Sequence, residues 1–307
     1  MTIPLAIVSA DWHLSHKPPI ARSEEEDWYG VQQGYIEQVL SLTEKRLPLL
    51  LAGDIYDRAI PPLELVTFAM RMFNQFTGGV YAVAGNHDLP AHNLADMHRS
   101  GYGALVESGV ITDLKPGHVT YANGDCKLLL HGFPCGYEVR ANPVERKGVF
   151  QVAVVHDYIW KDSNTSYPGA PEEKRTLAKQ GQLYGYDMAI FGDNHIPFDA
   201  YKIFNCGGFQ RRRRDEITHQ PSVGILYHDG TIKRHYLDTS KDKWIDFEKW
   251  VQEASEQIGA NSFVEELLHL GDVALDFSAS IHHLLKREKV GDEVKAIILR
   301  ALDVSNV

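Results

Sequence analysis

Three cysteines in 307 residues (Cys126, Cys135 and Cys206) leave little for sulfur to do. They form no CxxC pair, which argues against a disulfide frame and against a cysteine zinc knot, and so sparse and odd a set suggests a reducing compartment. Long apolar runs are missing as well; none approaches the ~20 residues that span a bilayer. The opening residues, MTIPLAIVSADWH, turn polar too soon for a secretory signal. There is no basic excess either. The net charge of −10 speaks against a surface coated in cations for nucleic acid, though not against a local basic track. No internal repeat and no low-complexity segment stands out. What is present is ordinary for a globular chain, 44% hydrophobic and 23% charged. The expectation is a cytoplasmic protein without a membrane segment, with room for one large domain and a small appendage.

Short apolar runs alternate with longer amphipathic stretches. PLAIVSAD (4–11), LPLLLAGD (47–54), GVYAVAGN (79–86), CKLLLHGFP (126–134), FQVAVVHD (150–157) and DMAIFGD (187–193) each read as a buried strand. Helical spacing appears around Val31, Ile36, Val39 and Leu40, and again around Leu65, Phe68, Met72 and Phe73. Strand–helix–strand alternation of this kind predicts an α/β layered domain over residues 1–237. VGILYHDGTIKRHYL (223–237) reads as a hairpin turning at Asp229-Gly230, and SEEED (23–27) as a solvated helix start. After residue 238 the pattern changes to a small helical segment. Trp244, Phe247, Val251, Ala254 and Ile258 fall at helical steps, as do Val294, Ile297, Ile298, Ala301 and Leu302. From 241 onward thirteen acidic residues oppose eight basic ones, a net of −5, so this tail suits packing on the core or on a partner better than gripping phosphate.

The chemistry gathers at strand ends. Asp11 and His13, then Asp54, then Asn86, His87 and Asp88, then His156, then Asp193 and His195 each follow an apolar run. At a strand end residues i and i+2 point the same way, so Asp11 with His13, and Asp193 with His195, can converge on one ion. Mixed carboxylate, imidazole and carboxamide donors suit Mn²⁺, Fe²⁺ or Zn²⁺ better than Ca²⁺ or Mg²⁺ alone. A carboxylate such as Asp54 can bridge two ions at the ~3.5–4 Å spacing of two-metal sites. Taken singly, each of these residues also has a plain reading as a turn or a satisfied core group. Five such ends in one α/β chain are hard to ascribe to chance.

The order D-x-H, G-D, G-N-H-D, H, G-x-x-H resembles that of the calcineurin-like metallophosphoesterases, a layered β-sandwich flanked by helices. AGDIYDRAIPP (52–62), AGNHD (84–88) and the strand ending HGFP (131–134) are similar to the SbcD-type nuclease subunit of DNA double-strand-break repair. The resemblance implies two divalent ions, Mn²⁺ first, with Fe²⁺, Zn²⁺ or Mg²⁺ as alternatives. Asp11, His13 and His195 would hold one, Asn86, His156 and Asp193 the other, and Asp54 would bridge them. His87 would be the catalytic histidine. Asp88 is read either as orienting His87 or as a helix N-cap. The family pattern G-H-x-H is G-D-N-H here, and Asp193 is read as a replacement ligand rather than a lesion.

The loosely similar NCGGFQRRRR (205–214) brings four consecutive arginines, Arg211, Arg212, Arg213 and Arg214. Arginine pairs bidentately with phosphate, so this strip is expected to guide DNA, with a solvated loop or pairing to Asp215 and Glu216 as the alternative. Trp12, Tyr56 and Phe209 are read as packing before base contact. The functional expectation is a metal-dependent DNA exo- or endonuclease working with an SbcC-type ATPase docked through the C-terminal helices, with a homodimer left open. A phosphatase or phosphodiesterase of small nucleotides or phosphoproteins, and a non-catalytic metal-bound scaffold, are the alternatives.

Overall fold

The computed structural model describes residues 3–42, 46–115, 117–123, 126–142, 148–167 and 169–247. In chain order the elements that carry the fold are β1 (Pro4–Ser9), α1 (Trp28–Leu42), β2 (Leu49–Ala52), α2 (Leu63–Phe73), β3 (Val80–Val83), α3 (Gly101–Glu107), β4 (Thr112–Asp113), β5 (Gly117–Asn123), β6 (Cys126–Phe133), β7 (Phe150–His156), β8 (Met188–Gly192), β9 (Phe198–Ala200), β10 (Ile203–Asn205), β11 (Ser222–Tyr227) and β12 (Ile232–Tyr236). They build two mixed six-stranded sheets, ordered β12-β11-β1-β2-β3-β4 and β5-β6-β7-β8-β10-β9. The expected hairpin is β11–β12, paired antiparallel.

Period-two alternation explains the layers. Along β1, Ala6 and Val8 face the second sheet, where Leu128, Leu130, Val152, Val154 and Ile190 meet them. Ile7 points the other way, into a core shared with the helices. There α2 presents Leu65, Phe68, Ala69, Met72 and Phe73, an i, i+3, i+4, i+7, i+8 stripe that is buried throughout. Pro62 caps α2 with a φ already suited to a helix entrance. The outer face of the second sheet buries Ala153, Val155, Ala189, Phe191 and Ile203 under Val139, Ile159, Leu183 and Tyr186. The architecture is thus the α/β sandwich flanked by helices that the sequence predicts. None of the described helices is long and apolar enough to cross a membrane.

The chain divides into two compact units, one of residues 1–16, 28–211 and 219–240, the other of 17–27, 212–218 and 241–307. Both sheets belong to the first. Most of the expected C-terminal helical segment, 248–307, lies outside the described residues. In the second unit SEEED leads directly into α1, which begins at Trp28, and Ser23, Glu24, Glu26 and Asp27 are exposed as expected, but Glu25 is buried. The reason is Arg22, which is fully buried. It donates to Glu25 at 2.6 Å, to Asp242 at 2.8 Å and to the Lys243 carbonyl at 2.9 Å, and lies over the Trp244 ring. A buried guanidinium is tolerated only with such partners, and this one clasps two distant stretches of chain.

Candidate metal centre

The parallel strands β1, β2 and β3 of one sheet and β6, β7 and β8 of the other bring their carboxyl ends to one edge of the sandwich. The chain leaves these ends in strained turns. Asp11, His13 and Asp54 have φ of 52°, 43° and 53°, and Asp193 has φ of 92°. Such values are uncommon outside glycine and cluster where function over-determines the backbone. Cross-strand bonds hold them: Asp11 N–H donates to Gly53 O at 3.1 Å, His13 N–H to Asp54 O at 3.0 Å, and Leu14 N–H to Ile55 O at 2.8 Å. Asp11 and His13 therefore do converge, but through left-handed kinks rather than through strand alternation.

Two glycines make room for the side chains. A Cβ at Gly53 would strike the His156 ring, and one at Gly85 would strike the Asp54 carboxylate and amide. Gly85 needs no unusual φ, so Gly85→Ala acts on Asp54 by sterics alone. The expected result is metal affinity weakened by about 10–100-fold, read as bound metal per chain after dialysis; full metal content in this variant would contradict the geometry.

Among the described residues, three groups place potential ligand atoms within 4.8 Å of one another: Asp11, His13 and His195; Asp11, Asp54 and His156; and His13, Asp57 and His87. The Nε2 atoms of His13 and His195 face each other at 3.1 Å. His13 Nε2 lies 3.6 Å from one Asp54 oxygen, and His156 Nε2 lies 3.5 Å from the other. His156 Nδ1 donates to the Ala52 carbonyl at 2.7 Å, which turns Nε2 toward Asn86 Oδ1 at 2.9 Å. Asp11 and Asp54 are each only 1% exposed. Buried carboxylates held together with no Lys or Arg among these contacts, and imidazole nitrogens aimed at one another, form a donor set that fits divalent cations.

Seven residues were expected as ligands, and six come together in this way. The seventh, Asp193, is fixed by its backbone: its N–H donates to both Asp11 oxygens, at 3.0 and 3.1 Å. Its carboxylate enters none of the three groups, while its charge acts with those of His156 and His195. Asn194, between them, is buried and bolts a neighbouring loop through Ile159 O and Thr165 O, at 2.7 and 2.8 Å.

His87 stands exposed at the open side of the cluster, its ring edge-on to that of His13 at 4.8 Å. Its Nδ1 contacts the Asp57 carbonyl at 2.8 Å, and its N–H donates to Asp54 at 2.9 Å. Asp88 does neither of the things expected of it. Its carboxylate is spent on the backbone N–H groups of Gly85, Ile55 and Tyr56, tying the β3 turn to the β2 turn. Orientation of His87 falls to Asp57, a residue the sequence reading passed over although it stands in GDIYD. Trp12, Tyr56 and Phe209 are core, each at most 1% exposed, with Trp12 stacked on Phe209 at 4.3 Å. The Arg211 guanidinium donates to Thr239 O at 2.9 Å, Arg212 and Arg213 direct their backbone N–H groups to Glu216, and Arg214 lies over Phe247.

Burial sets the electrostatics. It pushes the Asp11 carboxyl up to about 7, with Asp54 and Asp193 adding to the effect and His195 and His156 opposing it. Burial and the Asp54 charge likewise raise Asp88 to about 7 against three backbone donors. At His156 burial works downward, yet Asp54, Asp193, Asp11 and the Ala52 carbonyl outweigh it and hold the imidazole at about 9. Burial also raises the Asp193 carboxyl, with His156 opposing. Burial raises the Tyr158 phenol, opposed by a hydrogen bond with the Tyr167 backbone and aided by the Tyr167 and Asp193 charges.

The sequence profile of the calcineurin-like phosphoesterases matches residues 6–197, which contain every residue of the cluster. Among solved structures, the chain is similar to the phosphopantetheinyl hydrolase PptH from Mycobacterium tuberculosis (TM-score 0.45, 13% identity, covering 78% of this chain and 98% of that one). It is also similar to an archaeal phosphodiesterase (TM-score 0.36, 12% identity, covering 77% and 100%). No curated protein matches the chain in sequence.

Proposed function

The chain belongs to the calcineurin-like phosphoesterase family, a family of binuclear metal-dependent hydrolases, and from that premise we propose that it is a phosphodiesterase that cuts DNA in the manner of the SbcD-type nucleases. The observation that carries the phosphoester reading is an exposed imidazole, His87, held by the Asp57 carbonyl beside a buried cluster of carboxylates and histidines. Asp11, His13 and His195 would hold one ion, Asn86 and His156 the other with Asp193 beside them, and Asp54 would reach both. When bound, the ions supply Lewis-acid polarisation of phosphoryl oxygens and an activated water. His87, with Nδ1 engaged, has Nε2 available to hold a proton for the leaving oxygen. Asp88 keeps the two turns in register, so that Asp54 and His87 stay in reach of each other.

What supports DNA over a small ester is the AGDIYDRAIPP motif and the run Arg211–Arg214, in which Arg213 and Arg214 are exposed. The acidic balance of −10 favours the small-nucleotide reading instead. The tail from 238 is proposed as the docking segment for an SbcC-type ATPase, on its helical spacing alone.

End-labelled linear double- and single-stranded DNA, offered with Mn²⁺, with Mg²⁺ and with chelator, separates these readings. The expected result is Mn²⁺-dependent cutting, stimulated by an SbcC-type ATPase with ATP. Arg213→Gln with Arg214→Gln should weaken DNA binding and lower its salt slope by about 1 per lost phosphate contact. Hydrolysis of bis-p-nitrophenyl phosphate without cutting of any DNA would replace the DNA reading with the small-substrate one.

A further inference from the structure

The excursion after β7, from Asp157 to Arg175, is braced on itself and on the metal-ligand turn. Asp157 receives Lys174 at 2.6 and 2.8 Å. Trp160 exchanges backbone bonds with Lys174 and Thr176, at 3.2 and 2.8 Å. Thr165 Oγ1 accepts the N–H groups of residues 161 and 162, at 2.9 and 3.0 Å. Asn194 pins this excursion beside His195 through Ile159 and Thr165.

Two aromatic rings stand on this excursion, the Tyr158 phenol bonded to the Tyr167 backbone. Tyr158 is half-buried, Tyr167 is 47% exposed, and their centroids are 5.1 Å apart at 48°. Tyr158 follows His156 by two positions and precedes Ile159, whose carbonyl is held by Asn194 next to His195. Paired phenols on a stiff support offer π surface to a planar ligand at small entropic cost, and every nucleobase has a face to stack there.

We propose that Tyr158 and Tyr167 form a stacking wall for the nucleobase next to the phosphate being hydrolysed, and so select nucleotidyl esters over base-free phosphodiesters. This rests on the phosphodiesterase reading of the metal centre. It does not depend on the arginine strip and applies to DNA ends and to small nucleotides alike.

The test compares thymidine 5′-(p-nitrophenyl phosphate) with methyl p-nitrophenyl phosphate, which share a leaving group and differ in the base. In the full chain, Tyr158→Ala with Tyr167→Ala should raise KM for the nucleotidyl ester by roughly tenfold or more while leaving KM for the methyl ester unchanged. Tyr158→Phe with Tyr167→Phe, which keeps both rings, should restore the parent KM. Equal changes for both esters, or none, would overturn the proposal while the phosphodiesterase reading stood. Hydrolysis of neither ester by the parent chain would overturn that reading instead. Stacking would then be decided by quenching of a 2-aminopurine oligonucleotide: loss of quenching in the alanine pair supports the wall, and unchanged quenching refutes it.

Discussion

Replacing His87 with alanine is expected to lower kcat by about 10²–10⁴-fold while the chain still binds its divalent ions. The two halves of that result come from different parts of the geometry. The donors, buried Asp11, His13, Asp54 and His156 with half-buried His195, approach one another without help from the His87 ring. His87 sits outside them, exposed, with one nitrogen engaged by the Asp57 carbonyl. Loss of a proton donor should appear in kcat far more than in KM. Leaving-group dependence separates this role from simple substrate binding: an ester with a good leaving group, such as p-nitrophenolate, should suffer least. A variant that keeps full kcat on a poor leaving group, or whose loss of activity tracks loss of metal, would remove His87 from the chemistry.

Much of this site could be read before any coordinates, because a strand ending in an acid or a histidine is a local pattern. LPLLLAGD announces both β2 and Asp54, and AIFGDNH announces β8 and His195. The strands that escaped notice are those with little or no apolar run: β4 has two residues, β9 and β10 have three each, and β5, GHVTYAN, is half polar. The errors at the site have a common cause. Both readings of Asp88, orienting His87 or capping a helix, keep it with its sequence neighbours, but a buried carboxylate goes where unsatisfied N–H groups are, and those lie across the fold at Ile55 and Tyr56 as well as at Gly85. The group that does hold His87 is a backbone carbonyl, which has no signature in sequence. Asp193 with His195 was expected to behave as a strand pair, yet φ of 92° at Asp193 ends the alternation on which that inference depended. Ligand identity was local information; ligand direction was not.

The metal-free chain is expected to lose thermal stability as pH rises from about 5 to about 9, and divalent metal should restore more stability at the alkaline end than at the acid end. The sign follows from three buried groups. Asp11 and Asp88 are raised from 3.8 to about 7, so the folded state holds protons that the unfolded chain has released, and a penalty grows as pH climbs from about 4 to about 7. His156 is raised from 6.5 to about 9 by the surrounding carboxylates, so its stabilising charge is complete below about 6.5 and is lost as pH passes 9. All three contributions fall in the same direction. A bound cation stands in for those protons: it neutralises the carboxylates and needs His156 with its Nε2 lone pair bare, so it competes with protons at low pH and meets little competition at high pH. Thermal midpoints of chelator-treated chain, with and without added Mn²⁺, across this pH range measure the effect. Self-repulsion from a net charge of −10 contributes a slope of the same sign, and Asp88→Asn separates the two, because the amide cannot ionise and should flatten the part of the curve between about pH 4 and 7. A metal-free midpoint that rises with pH, or an Asp88→Asn curve parallel to the parent, would mean that these buried groups do not govern the stability of the empty site.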